Sequence, residues 1–164
     1  MIETLEDRMH HVVDKATEGL DRDVQTSEVV SDHLKLAIRD CDIATRQFFK
    51  NQKMSMNALG TVSTCALSIV DHALIVMHAL GIEPPTLEDI ADLVDEFEDV
   101  IAQDGVLSSC VITRAASDAM ICYFSDDEEL SEELVMSLGE IICGAALLVQ
   151  RVGGDFNELI TRKV

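Results

Sequence analysis

The chain has no tryptophan, a single tyrosine and five phenylalanines among its 164 residues. Hydrophobic residues make up 48% of the sequence but aromatic residues only 4%, so aliphatic side chains, methionine and cysteine must fill the core. There are only two prolines and eight glycines, which leaves long stretches without a turn signal. This scarcity argues against a turn-rich β-fold and favours long helices in a single domain, residues 1–164.

Positive charge is also scarce. The chain has 12 lysine and arginine residues against 31 aspartate and glutamate residues, a formal net charge of −19. Nucleic-acid binding through phosphates needs a basic face, so the composition argues against it. Two interpretations of the acidic excess remain: it keeps the chain soluble through repulsion between like charges, or it attracts basic segments of a partner.

Signals for disulfides and for secretion are missing as well. The five cysteines are odd in number, form no CxxC pair and mostly lie in apolar runs, where a thiol behaves as a small hydrophobic group. The first eight residues, MIETLEDR, are charged and lack the apolar stretch of a signal peptide. We therefore expect a reduced, cytoplasmic protein.

Apolar residues recur at three- and four-residue steps along most of the chain, which is typical of amphipathic helices. Ser27 and Thr86 are predicted to cap the second and fourth helices, and Asp155 a short seventh one. Stops are predicted for the third, fourth and sixth helices at Gly81, Asp104-Gly105 and Gly153-Gly154. The six long helices are predicted over about 2–20, 27–48, 55–80, 86–104, 106–123 and 131–152.

The fifth and sixth predicted helices are unusually apolar. Arg114 and Asp118 are the only charged residues of 106–123, and Glu140 is the only one of 134–149. The second run is shorter than the roughly 20 residues needed to cross a bilayer, and both runs contain charge. The sequence therefore predicts an all-α bundle around a central, buried antiparallel hairpin of these two helices.

The charges inside this hairpin need partners. Arg114 and Asp118 are one helical turn apart, and the hairpin geometry brings Arg114 within a turn of Glu140. A buried charge is tolerated only when it is paired. Two interpretations that do not exclude each other follow. Arg114 forms an internal ion pair with Glu140 or Asp118, or it lies at the rim of a groove and meets an acidic group of a ligand.

Enzymatic motifs are poorly represented. The five histidines form no HExxH or comparable ligand set, and the sequence has no glycine-rich phosphate loop or nucleophile elbow. The acidic run 95–99 with Glu140 resembles half of the magnesium site of MazG-type pyrophosphohydrolases, but Ser137 stands where a second carboxylate belongs. We expect a solvated acidic face, and a protein that is not an enzyme and uses no cofactor or metal. A magnesium-dependent MazG-like nucleoside triphosphate pyrophosphohydrolase and an acidic decoy or interaction protein are the alternatives.

Segments on both sides of the hairpin resemble homology motifs of the Bcl-2 family of apoptosis regulators. Asp104-Gly105-Val106 resembles the start of the first motif, and residues 149–154 resemble the second, which ends in a glycine pair. Residues 59–64 are similar to a degenerate third motif and residues 28–34 to the fourth. The resemblance covers about residues 28–160 in the order and spacing of helices.

The motifs depart from the family at functional positions. The arginine with which the family binds an acidic ligand residue falls on Cys110, and the family's tryptophans are absent. Arg114, one turn later on the same helix, is the candidate substitute. Thr64 stands where the third motif has its aspartate, which argues against a pro-apoptotic role. Such divergence of the motifs, in a small chain that we expect to lack an anchor, is similar to viral Bcl-2 homologues.

The resemblance implies helix-in-groove recognition. A BH3 helix of a pro-apoptotic protein would insert its apolar anchors into a groove walled by the third, fourth and fifth helices, and its sequestration would inhibit apoptosis. Eight groove residues are nominated: Leu59, Val62, Ile90, Val94, Phe97, Ile101, Val111 and Arg114. For the apolar ones, packing in the core is an equally consistent interpretation. We further expect no transmembrane anchor, a cytoplasmic protein that can associate with mitochondria through partners, and a tendency of the uncovered groove to form a homodimer.

Overall fold

The computed structural model describes residues 1–17, 25–50, 56–101, 104–125 and 131–162, apart from the side chains of Asn57 and Ile101. The described residues form seven helices and no strand, so the predicted all-α fold is confirmed. In chain order the helices are α1 (Leu5–Thr17), α2 (Thr26–Lys50), α3 (Met56–Leu80), α4 (Leu87–Ile101), α5 (Gly105–Ser125), α6 (Glu132–Arg151) and α7 (Phe156–Ile160).

Helix α6 lies at the centre of the bundle. It packs against α3, α4, α5 and α7, and every residue from 141 to 149 is buried. Around this centre, α2 packs against α3 and α5, and α1 packs against α3. Helices α5 and α6 form the antiparallel hairpin, since Ser108 contacts Arg151 at one end and Cys122 contacts Glu133 at the other.

The two helices of the hairpin differ in burial. Helix α5 makes its main contacts with α2 and α6, and its remaining face carries Leu107, Ile121 and Phe124, which are exposed. The apolar character of α5 therefore exceeds what its packing requires. By length and composition alone, a stretch of α3 and a stretch of α5 would each suffice to cross a membrane, and half of the first and a third of the second are buried in the bundle.

Two of the three predicted helix stops, Gly81 and Gly153-Gly154, are present. The third is not: Asp104-Gly105 begins α5, because Asp104 Oδ1 accepts a hydrogen bond from the Leu107 N–H at 3.0 Å and so caps that helix. Gly81 and Gly153 have positive φ angles of 70° and 77°, a conformation that costs other residues about 1 kcal/mol. After α6, the Gly153 N–H donates to the carbonyl of Gln150 at 3.0 Å, and the Gly154 N–H donates to the carbonyl of Val149 at 2.9 Å. This Schellman arrangement satisfies carbonyls that the helix end would otherwise leave without partners.

Helix starts follow the predicted caps in two cases and differ in others. Thr86 and Asp155 cap α4 and α7 through their side-chain oxygens, as predicted. Ser27 lies inside α2, which begins one residue earlier. Helix α1 begins at Leu5 and not at residue 2, because Thr4 acts as its cap. The predicted end of the first helix at residue 20 and the predicted start of the third at residue 55 lie outside the described residues.

A buried arginine joins α1 to α3 and to the C-terminal segment. The Arg8 side chain is 1% exposed, and its Nε and Nη2 donate to the two carboxylate oxygens of Asp71 at 2.6 and 3.0 Å. Its Nη1 donates to the carbonyls of Ile160 and Arg162 at 2.8 and 2.6 Å. Burial raises the pKa of the Asp71 carboxyl, and the Arg8 guanidinium acts in the opposite direction. We call these four residues the Arg8 clamp.

Helices α5 and α6 approach each other closely at Gly144. A Cβ atom added there would lie 2.4 Å from Ile112 Cγ1 and 3.3 Å from the Ile112 backbone nitrogen. We expect Gly144→Ala to lower the free energy of unfolding by about 1–3 kcal/mol, because the Ile112 side chain and the α5 backbone must shift. Urea unfolding followed by circular dichroism measures this change.

Gly139 provides the matched control on the same helix, since a Cβ atom there would meet nothing within 4 Å. Gly139→Ala is expected to raise the free energy of unfolding by up to about 1 kcal/mol, because alanine is the better helix former. The two substitutions should therefore change stability with opposite signs. A gain in stability from both would contradict the close packing of α5 on α6.

Candidate functional site

Helix α4 has an apolar face toward the bundle and an acidic face toward solvent. Ile90 and Val94 are buried, and Leu93 and Phe97 are half-buried against the core. The main contact of α4 is with α6. On the side of α7 this arrangement leaves a groove, which we call the α4–α6–α7 groove.

The α4–α6–α7 groove has a volume of about 370 Å³. Its described lining residues are Leu87, Ile90, Ala91, Val94, Asp95, Ala146, Gln150, Gly154, Asp155, Phe156 and Asn157. The buried side chains of Ile90, Val94 and Phe156 form its floor, and Asp95 and Asp155 are exposed at its rim. An apolar floor between polar rims is the arrangement that receives the apolar face of an amphipathic helix.

The rim of this groove is negatively charged. Asp95 and Asp155 carry carboxylates, Gln150 and Asn157 are neutral, and no lysine or arginine is among the described lining residues. An acidic residue on an incoming helix would therefore lack a cationic partner there. Lysine or arginine on the same helix would be favoured.

An ion pair holds the C-terminal half of α4 in place. Arg151 Nη2 lies 2.5 Å from Glu98 Oε1, and the two side chains are only 9% and 24% exposed. Arg151 Nε also donates to Ser108 Oγ at 3.4 Å, in the first turn of α5. The end of α6 thereby ties α4 to α5, so the wall of the groove belongs to the packed bundle.

Four of the eight nominated groove residues lie on α4, and the side chains of three of them are described. Ile90 and Val94 line the α4–α6–α7 groove together. Phe97 is half-buried against the core, one turn beyond Val94. The side chain of the fourth nominated residue of this helix, Ile101, lies outside the described residues.

The nominated residues of α3 and α5 lie elsewhere. Val62 and Val111 are buried in the core, and Leu59 is half-buried on α3. These three side chains are not among the described lining residues of the α4–α6–α7 groove. The groove is bounded by α4, α6 and α7, whereas the resemblance implied walls from the third, fourth and fifth helices.

Arg114 is a surface residue. Its side chain is 84% exposed, and its Nε lies 3.7 Å from Asp118 Oδ2, one turn along α5. Of the two pairs considered from the sequence, the structure therefore contains the one with Asp118, at the surface and not inside. Burial raises the pKa of Glu140, and the nearby Arg114 acts in the opposite direction.

Cys110 occupies the position at which the Bcl-2 family has its ligand-binding arginine. It is exposed, on the side of α5 that faces α2. It lines a depression of about 780 Å³ that we call the α2–α5 cleft. The described lining residues of this cleft are Lys35, Ile38, Arg39, Asp42, Thr45, Ser109, Cys110, Thr113, Arg114 and Ser117. Cys110 and Arg114 thus lie on a different surface from Ile90 and Val94.

Helices α2 and α5 run antiparallel along this cleft. A Cβ atom at Gly105, the first residue of α5, would meet the ring of Phe48 near the end of α2. One to two turns further along α5, the Ser109 carbonyl accepts a hydrogen bond from Cys41 Sγ at 3.1 Å. Extending this register places residue 35 level with about residue 117.

Acidic residues of the run 95–99 on α4 interact with residues of α6. Glu98 forms the ion pair with Arg151. Glu96 and Glu140 lie near Cys143, whose pKa is raised to about 12, first by burial and then by these two carboxylates. In the described part of the chain, no three histidine, cysteine, aspartate or glutamate residues lie together so that they could hold a metal ion.

A half-buried polar cluster between α2 and α3 had no counterpart in the sequence patterns. His33 Nδ1 lies 2.8 Å from His72 Nδ1, and His72 Nε2 lies 3.5 Å from Asp40 Oδ2. Ser68 Oγ donates to the same Asp40 oxygen at 2.6 Å. Burial lowers the pKa of His33 and lowers that of His72 to about 4. We call these four residues the histidine cluster.

Three features of the described structure are therefore candidates for a functional site: the α4–α6–α7 groove, the α2–α5 cleft and the histidine cluster. Comparisons with protein-family models, curated protein sequences and solved structures found no match to this chain. Of the three, the groove combines buried apolar side chains with exposed polar residues.

Proposed function

We propose that this protein binds an amphipathic helix of a partner protein in the α4–α6–α7 groove. The observation that supports this proposal is the groove itself, with Ile90, Val94 and Phe156 in its floor and Asp95 and Asp155 at its rim. Residues at i, i+3 or i+4, and i+7 of a bound helix would face this floor, because they share one face of a helix.

The resemblance to the Bcl-2 family suggests the class of partner. A BH3 helix of a pro-apoptotic protein has apolar anchors at this spacing, and its capture would inhibit apoptosis. Because the described rim lacks lysine and arginine, we expect the affinity to come from the apolar anchors and from basic residues that flank them. The aspartate–arginine pair of the family would contribute little, since Arg114 is exposed on α5, away from this groove.

Calorimetric titration with a panel of BH3 peptides of about 20–26 residues tests the proposal, and we expect Kd values between about 10 nM and 10 μM. Ala91 is exposed on α4 and lines the groove. Ala91→Arg should therefore occupy the groove without disturbing the core, and should weaken binding roughly tenfold or more.

The matched control is Ala16→Arg, which makes the same change at an exposed alanine of α1. It should leave the affinity within about twofold of that of the unchanged protein. Absence of heat with every peptide of the panel would rule out the proposal. Equal weakening by both variants would show that the peptide responds to net charge and not to this groove.

A further inference from the structure

The α2–α5 cleft collects positive charge in an acidic protein. Three of the chain's twelve lysine and arginine residues line it, namely Lys35, Arg39 and Arg114. Asp42 is the only carboxylate among its described lining residues, although the chain has 31. Arg39 and Arg114 each have a carboxylate beside them on their own helix, Asp40 and Asp118, but neither carboxylate is among the described lining residues of the cleft.

The cations occupy one half of the cleft. Because α2 and α5 run antiparallel, Lys35 lies level with about Ser117, and Arg39 lies level with the turn that contains Arg114. The three cationic residues and Ser117 therefore lie along the same stretch of the cleft, about one to two helical turns long. A tetrahedral anion offers enough oxygens for several such donors at once.

The cationic groups are available to a ligand. Lys35 is exposed, and the Arg114 side chain is 84% exposed with its Nε 3.7 Å from Asp118, longer than a hydrogen bond. The Arg39 side chain is 61% exposed and directs Nη2 to Asp40 at 3.2 Å, which leaves its other N–H groups for a further acceptor. An anion in the cleft would therefore gain donors without breaking a buried ion pair.

The rest of the cleft suits an uncharged organic group. Asp42 is neutralised by Arg46, whose Nη2 lies 3.0 Å from its carboxylate. Ile38 contributes apolar surface beside it. The volume of about 780 Å³ is larger than a bare phosphate requires, and small-molecule sites typically measure about 300–1,000 Å³.

We propose that the α2–α5 cleft binds a small organic phosphate. Lys35, Arg39 and Arg114 hold the phosphate oxygens, Ser117 donates its hydroxyl, and the organic group lies along Ile38. Arginine and lysine are the usual protein ligands of phosphate. A soluble phosphate is favoured over a phospholipid headgroup, because a chain with a net charge of −19 is repelled by an anionic bilayer.

The probes are pyrophosphate and ATP, with adenosine as the uncharged counterpart, titrated into the full chain and followed by nuclear magnetic resonance at low salt. We expect saturable shifts from both phosphates, with Kd values between about 10 μM and 1 mM, and none from adenosine. Lys35→Gln and Arg114→Gln should each weaken binding roughly fivefold with unchanged helix content. Asp42→Asn should strengthen the binding of both phosphates, because it removes the one carboxylate among the described lining residues of the cleft.

Lys50→Gln is the matched control, because Lys50 is exposed on the same helix but is not among the described lining residues of the cleft. It should change the affinity less than about twofold. Equal loss from Lys50→Gln and Lys35→Gln would overturn the proposal in favour of diffuse electrostatic attraction. Binding of adenosine as tight as that of ATP would also contradict the proposal. So would binding to vesicles that contain a phosphoinositide without binding of either soluble phosphate.

Discussion

Arg8→Ala is expected to lower the free energy of unfolding by about 3 kcal/mol or more, because it leaves the Asp71 carboxylate without its partner in the bundle. The substitution also removes the donors to two carbonyls near the C-terminal end, Ile160 and Arg162. Loss of the donor to the Ile160 carbonyl, which is buried, adds to the cost. Urea unfolding followed by circular dichroism gives the value, with a lower midpoint and an unchanged slope.

Arg46→Ala is the control for this first prediction. Arg46 and Asp42 form an ion pair in which both side chains are more than half exposed, so its loss should cost no more than about 0.5 kcal/mol. Arg8→Lys keeps the charge but not the fork that meets both oxygens of Asp71, so it should recover only part of the loss. Similar costs for Arg8→Ala and Arg46→Ala would show that the Arg8 clamp does not stabilise the fold.

Stability is expected to fall on acidification through the histidine cluster. The pKa of His72 is about 4 in the folded chain against an ordinary value of 6.5, so the unfolded state binds more protons between these two values. The contribution of His72 is therefore complete above pH 6.5 and is lost as the pH falls toward 4. The total loss amounts to about 3 kcal/mol.

The physical cause is the burial of both rings, since a proton on His72 has to be accommodated beside His33. Unfolding measured between about pH 7 and pH 5 should show this slope in the unchanged protein, and His72→Gln should flatten it. His10→Gln, which removes an exposed histidine of α1, should leave the slope as it is. A slope that survives His72→Gln would assign the pH dependence to other groups.

Helix ends were predictable because their signals are local. Gly153 is needed for a positive φ angle at the end of α6, and Thr86 provides the oxygen that caps α4. Both effects act within one turn of the chain, so neighbouring residues suffice to predict them. The hairpin was predictable for a similar reason, since two apolar helices joined by a short polar segment pack against each other.

The Arg8 clamp and the histidine cluster were not predicted, because they join residues far apart in the chain. Arg8 and Asp71 are 63 positions apart, and His33 and His72 are 39 apart. One signal was present: Arg8 lies on the apolar face of α1, beside Leu5 and Val12, where an arginine must find a buried partner.

The groove residues were only partly predictable for a different reason. Val62, Val111 and Ile90 all lie on apolar faces of their helices, and periodicity treats them alike. What separates them is whether another helix covers the apolar face beside them. All three side chains are buried. Only Ile90 lines the α4–α6–α7 groove, because the main contact of its helix is with α6.

The most direct test of helix binding is a nuclear magnetic resonance titration of the isotope-labelled protein with a BH3 peptide. We predict saturable shifts that concentrate on α4, the end of α6 and α7, including Ile90, Val94 and Phe156, and that are lost in Ala91→Arg. Residues of the α2–α5 cleft, such as Lys35, should not respond. Shifts confined to other surfaces, or no saturable shift with any peptide of the panel, would contradict the proposed groove.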